Sequence, residues 1–153
     1  MTRKTGTGTL GGNLTGTITS GTNSVTISGV TYTKAGTGVV LTATGSVAGN
    51  VNGKTGDSNA FTVLAGAADA TASTLTPTSA TITADGSTTQ VLTVTAKDAN
   101  GNNVGAGGAT VTITKSSGSG TIGTVSDNSN GTYTATVTAP TSSGSGIFVA
   151  TLN

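Results

Sequence analysis

The chain of 153 residues contains no cysteine, no histidine and no glutamate. Without cysteine there is no disulfide framework. Without cysteine or histidine, and with no Ser–Lys pair at motif spacing, its many serines and threonines lack the base that nucleophilic catalysis requires. The acids are five scattered aspartates, at 57, 69, 85, 98 and 127, mostly in turn sequences. Such a scatter does not suggest the paired carboxylates of a glycosidase. Charged residues make up only 7% and the net charge is +1, with no basic cluster beyond Arg3-Lys4. That argues against a nucleic-acid partner, which needs a concentrated basic face. No apolar run approaches the roughly 20 residues of a membrane span, so membrane insertion is not expected. Residues 1–20 also lack the apolar core of a signal peptide. The expectation is therefore a piece of a longer protein or another route to its location.

Glycine supplies 25 residues, and threonine and serine fill much of the rest. Long stretches alternate apolar residues with threonine, the signal of a half-buried strand rather than of disorder. No segment has a 3.6-residue apolar period, so no substantial helix is expected. Residues 23–44 align without a gap to 131–152 at an offset of 108, which sets Val25 on Tyr133, Ile27 on Ala135, Gly36 on Gly144, Gly38 on Gly146 and Leu41 on Val149. A β-hairpin repeated at domain-sized spacing implies an array of antiparallel sandwich modules.

In the second module the pattern predicts an edge strand over 73–83, interrupted by Pro77. Further strands are expected over 90–97, 109–115, 121–126, 132–139 and 146–152. The turns between them fall at Asp85-Gly86, at 98–103, in a flexible loop at 116–120, at 127–131 with Asn130-Gly131 as a hairpin signal, and at 140–146. The first module offers strands at 14–19, 24–33, 38–44 and 59–64, with a loop over 45–58, and 65–73 reads as a linker. The boundaries expected are 1–66 and 67–153. Carried through the offset, an opening strand near Leu75 would map to position −33, and the closing strand 59–64 would map to 167–172. The first module is thus expected to lack about its first third and the second its last strand, leaving open strand edges.

Three stretches carry a family likeness: STLTPTSATITADG (73–86), VTAKDANGN (94–102) and SDNSNGTYTATVT (126–138). With their spacing, residues 72–153 resemble a bacterial immunoglobulin-like (Big) domain of the invasin/intimin type. Residues 23–64 resemble the closing half of a related surface repeat through YTKAGTGVVLTAT (32–44) and SNAFTV (58–63). The resemblance implies an all-β fold of tandem immunoglobulin-like antiparallel β-sandwiches, secreted or displayed on a bacterial surface, with a spacer or adhesive role. Neither a terminal lectin-like domain nor a membrane barrel is visible.

Candidate chemistry is sparse. Asp98, Asn100 and Asn102 around Gly101 suggest half a calcium loop, yet one carboxylate is too few, and an Asx/Gly turn is the expected reading. Asp127, Asn128 and Asn130 before Gly131 read as a hairpin turn in the same way. An ion shared between the two turns is conceivable, because sandwich loops cluster at two ends. Tyr32, Tyr133, Phe61 and Phe148 are the only aromatics and are expected in cores, not as sugar-stacking platforms. Lys34, Lys97 and Lys115 read as edge lysines rather than isopeptide donors. The run Gly105–Gly108 lacks the Lys-Ser/Thr of a phosphate loop.

No catalytic, metal or cofactor-binding residue is expected, and no cofactor. The leading expectation is a non-catalytic spacer module of a surface or secreted adhesin-like protein. One alternative is a filament subunit whose closing strand 59–64 is donated between copies. Another is a phage decoration or tail-associated protein. Partners are expected to be neighbouring modules or copies of the chain itself, through open strand edges, with any host or carbohydrate ligand unspecified.

Overall fold

A computed structural model describes residues 1–46 and 52–153. Among them there are strands and turns and no helix. The chain divides into two compact units, Met1–Leu64 and Ala65–Asn153.

The first unit contains β1 (Thr2–Thr5), β2 (Leu10–Gly12), β3 (Val30–Tyr32), β4 (Gly36–Thr44), β5 (Thr55–Asp57) and β6 (Phe61–Val63). Strand β4 is its spine. β1 runs antiparallel along one edge, with Arg3 opposite Leu41. β5 and β6 follow along the other, with Thr42 opposite Asp57 and Val39 opposite Phe61. β2 pairs with β3 as a separate ribbon. Val39 is the unit's only buried apolar side chain among the described residues. It lies beside Tyr32, whose hydroxyl accepts the Gly8 N–H at 2.8 Å. A β-carbon at Gly8 would fall 2.6 Å from the Tyr32 ring, so the contact requires glycine there.

Several expectations for this unit change. The unit's ladders begin at β1, not at residue 14, and no strand forms over 13–29. Ile18 and Val25 in that stretch stay exposed, and Gly16, Gly21 and Gly29 weaken it as a strand. Alternation without a partner edge does not make a ladder. Residues 47–51, within the loop expected over 45–58, lie outside the described residues, and β5 occupies the end of that loop.

The second unit contains β7 (Asp69–Thr76), β8 (Thr89–Lys97), β9 (Val111–Gly118), β10 (Thr121–Ile122), β11 (Ser126–Asp127), β12 (Thr132–Thr138) and β13 (Gly146–Leu152). One sheet has the order β10-β12-β8-β7, with β11 also on β12, and β9 pairs with β13 in a second sheet. The β8–β12 ladder is continuous from Thr95–Thr132 to Thr89–Thr138. The period of two then puts Leu92, Val94 and Ala96 on one face of β8 and Tyr133, Ala135 and Val137 on the same face of β12. They bury against Ile113 of β9, with Phe148, Ala150 and Leu152 of β13 packed partly buried beside them. Val91, on the opposite face of β8, is 47% exposed.

Here too some boundaries move. The edge strand expected over 73–83 is instead β7, which starts at Asp69 inside the supposed linker and stops before Pro77, where the ring removes the N–H a ladder needs. The loop expected at 116–120 is mostly the end of β9, and 121–126 splits into β10 and the start of β11. The hairpin at Asn130-Gly131 forms as read, with Asp127 opposite Tyr133 and Gly131 at φ 80°.

The ungapped match at an offset of 108 does not follow the burial and the ladders. Tyr32 and Tyr133 make the same kind of contact: each sits in a T-Y-T strand, and each hydroxyl accepts a backbone N–H from 24 residues upstream. Val39 is buried at 1%, whereas its ungapped match Ile147 is 58% exposed. A further block was not seen in the sequence: TRKTGTGTLG (2–11) matches TKSSGSGTIG (114–123) at an offset of 112. The structure supports it, because Arg3 donates to the Gly8 carbonyl and Lys115 donates to the Gly120 carbonyl, the same pair 112 residues on. Arg3 lies opposite Leu41 and Lys115 opposite Phe148, so with Arg3 matched to Lys115 the ladders set Leu41, not Val39, on Phe148. β1 therefore corresponds to the end of β9, and β4 to β13.

Candidate functional site

The Asp98 turn is built from its own chain. The Asp98 carboxylate accepts N–H groups from Asn100 and Asn102 at 2.9 Å, the Asn102 side-chain amide at 2.8 and 3.1 Å, and the Gly66 N–H at 2.9 Å. Asp98 and Asn102 are both buried. The Asn102 side chain first, and the Gly66 N–H after it, hold the carboxyl down at about 2. Oxygens occupied by five donor contacts are not arranged as calcium ligands. The turn instead ties the segment entering the unit to the end of β8.

Asp127 does a similar task elsewhere. Its two oxygens accept the N–H groups of Gly108 and Ser129, each at 2.8 Å. Gly107 passes so close that a β-carbon would sit 2.5 Å from the carboxylate. The 105–108 run therefore offers its Gly108 N–H to Asp127, not to a phosphate. Asn130 accepts from the Thr132 N–H at 3.0 Å, and Asn128 donates to the Thr132 hydroxyl at 3.0 Å. The two aspartate turns hold different segments, and among the described residues no cluster of three or more acids is placed to hold a metal.

The aromatics divide. Tyr133 is 2% exposed and fixes the Ala109 N–H. Tyr32 is half-buried with its hydroxyl engaged, Phe148 packs on the core, and Phe61 is exposed. Lys115 donates to the Gly120 carbonyl at 3.0 Å rather than meeting an asparagine.

β13 is hydrogen-bonded to β9 and to no other strand among the described residues. Two grooves run beside it. One, of about 410 Å³, lies between Leu75 of β7 and Phe148, Ala150 and Leu152 of β13, with the buried Val94 lining it. The other, of about 490 Å³, is lined by Ala80, Ile82 and Ala84 together with Leu92, Val137 and Phe148. Phe148 borders both, so the depression follows β13 along its length. Residues 80–84 alternate as a strand would, yet lie in no ladder.

The family described as invasin, domain 3, matches residues 69–153. A crystal structure of invasin, a bacterial integrin-binding protein, is 27% identical over 81% of this chain and 23% of its own length, with a TM-score of 0.49. The chain thus spans about a quarter of that protein. No curated protein matches.

Proposed function

The chain belongs to the invasin domain 3 family, and on that premise we propose that it is a non-catalytic structural module of a bacterial cell-surface or secreted adhesin-like protein. Its task is mechanical: a hydrogen-bonded β-sandwich that spaces other parts of the protein outward. The carrying observation is the use of the acids. All five aspartates, the only acids in the sequence, hold local structure. Asp57 pairs with Lys4 and Thr42, Asp69 caps the Ala72 N–H, Asp85 caps Ser87 and Thr88, Asp98 caps Gly66, and Asp127 caps Gly108. General acid–base chemistry needs a carboxyl or imidazole directed at a substrate, and the chain's acids are engaged with its own backbone and side chains. The family match favours the bacterial surface over the virion as the setting.

The test is adhesion itself. The purified chain, coated on beads, is presented to cultured animal cells and to bacteria. A spacer leaves bead attachment at the level of an albumin coat. Saturable attachment would show that this segment binds a receptor and would contradict the spacer reading.

A further inference from the structure

We infer that Asn130 is a site of spontaneous chemical modification: its side chain closes onto the Gly131 nitrogen, loses ammonia, and opens with water to an aspartyl or isoaspartyl residue. The chain has three Asn-Gly pairs, beginning at Asn52, Asn100 and Asn130. Glycine puts no side chain in the way of ring closure, so each pair has the right chemistry. The structure separates them.

The nucleophile is the glycine nitrogen, and in two of the pairs it is occupied. The Gly53 N–H donates to the Gly45 carbonyl at 2.9 Å, and the Gly101 N–H to the Asp98 carbonyl at 2.8 Å. Such an amide must give up its hydrogen bond before it can lose its proton and attack. The Gly131 N–H has no hydrogen-bond partner among the described residues.

The electrophile is Cγ of Asn130. Its oxygen, Oδ1, accepts the Thr132 N–H at 3.0 Å and the Thr132 hydroxyl at 2.6 Å. The Asn128 side-chain amide donates to that same hydroxyl oxygen at 3.0 Å, which turns the hydroxyl proton towards Asn130. When the Gly131 nitrogen bonds to Cγ, Oδ1 takes the negative charge, and two donors are already in place for it. Asn130 is exposed, so the departing nitrogen leaves into solvent.

The step balances with water alone. The bond from the Gly131 nitrogen to Cγ forms and the Cγ–Nδ2 bond breaks. Ammonia carries away the proton of the Gly131 amide, and a cyclic imide remains. Water then breaks either the new bond, giving aspartate, or the original bond to the Asn130 main-chain carbonyl, giving isoaspartate. The second product routes the main chain through Cβ and Cγ and so lengthens the turn between β11 and β12. In that turn the Gly131 carbonyl accepts the Ala96 N–H at 2.8 Å, and Gly131 lies buried against the Val104 carbonyl. The isoaspartyl form therefore loosens the start of the β8–β12 ladder, beside Tyr133. The same packing opposes the rotation that brings the nitrogen over Cγ, so the decisive comparison is between sites in one folded chain.

The intact chain is incubated in mildly alkaline buffer made with heavy-oxygen water. Peptides containing Asn52, Asn100 and Asn130 are followed by mass spectrometry, where the label marks each opened imide. The proposal expects Asn130 to convert severalfold faster than Asn52 and Asn100, with isoaspartate among its products, and the three rates to draw together in urea. Thr132→Val removes the hydroxyl donor and keeps a β-branched strand residue. It should slow Asn130 severalfold and leave Asn52 unchanged, and Thr132→Ser should keep the original rate. Circular dichroism checks that both variants fold, and the comparison of the three sites in the unsubstituted chain needs neither of them. Conversion at Asn130 no faster than at Asn52 or Asn100 overturns the proposal. So does an unchanged Asn130 rate in folded Thr132→Val. Neither result bears on the adhesion test of the spacer reading.

Discussion

The Tyr133 hydroxyl accepts the Ala109 N–H at 2.9 Å, joining the start of β12 to the segment that leads into β9. It links the two sheets of the second unit by a polar bond inside an apolar core. Tyr133→Phe removes the acceptor and leaves a backbone donor short of a partner. The expected cost is about 1–3 kcal/mol, read as a lower urea midpoint with an unchanged slope. Tyr32→Phe, at a half-buried site, should cost less.

Acid should weaken the second unit through Asp98. Its folded pKa, at about 2, lies below the ordinary value of 3.8. A depressed carboxyl stabilises the fold above its unfolded pKa, and that contribution disappears as pH falls through the folded value. Asp57, lowered by Lys4 and then Thr42, and Asp85, lowered chiefly by the Thr88 hydroxyl, act in the same direction. Thermal midpoints should be level near neutrality and fall between about pH 4 and pH 2. Asp98→Asn should lower the midpoint at neutral pH and flatten the acid limb. A midpoint that rises with acidification would contradict the arrangement.

Glycine substitutions should separate two physical causes. Gly131 has φ 80°, and a β-carbon there would collide with the Val104 carbonyl. Gly101 has φ 77° with open space around it. Gly101→Ala therefore carries only the left-handed backbone penalty of about 1–2 kcal/mol. Gly131→Ala adds the clash and should lose clearly more, as chemical denaturation of the two variants side by side would show.

The alternation on β8 makes a further contrast. Leu92 faces the core and Val91 faces outward. Leu92→Ala should cost about 2–5 kcal/mol, while Val91→Thr should stay within about 0.5 kcal/mol. Equal effects would mean that β8 is buried on both faces.

Where a strand has a partner along its whole length, the sequence was a good guide. β8, β12 and β13 fall within a residue of the alternating runs read for them, and the Asn130-Gly131 turn falls where its dipeptide put it. Where a run has no partner, pattern alone misled. Residues 14–19 and 80–84 alternate as well as β12 does, but form no ladder, because pairing is a property of two segments and not of one. The likeness of the two T-Y-T strands was missed for a different reason: the ungapped comparison at an offset of 108 sets Tyr32 on Pro140. Asp98 was read as the centre of a turn, and it is one. That it also holds Gly66, 32 residues upstream, has no local signature.

The central structural claim is that β13, among the described residues, has one bonded edge and one open edge. Residue-resolved amide hydrogen exchange at a dilution where the chain is monomeric tests it most directly. In an antiparallel pair, alternate residues direct their N–H groups to opposite sides. The account predicts slow exchange along β8 and β12, and along β13 alternate slow and fast amides. Uniform protection of β13 at dilution would show that its second edge is already bonded within one chain, and would contradict the account.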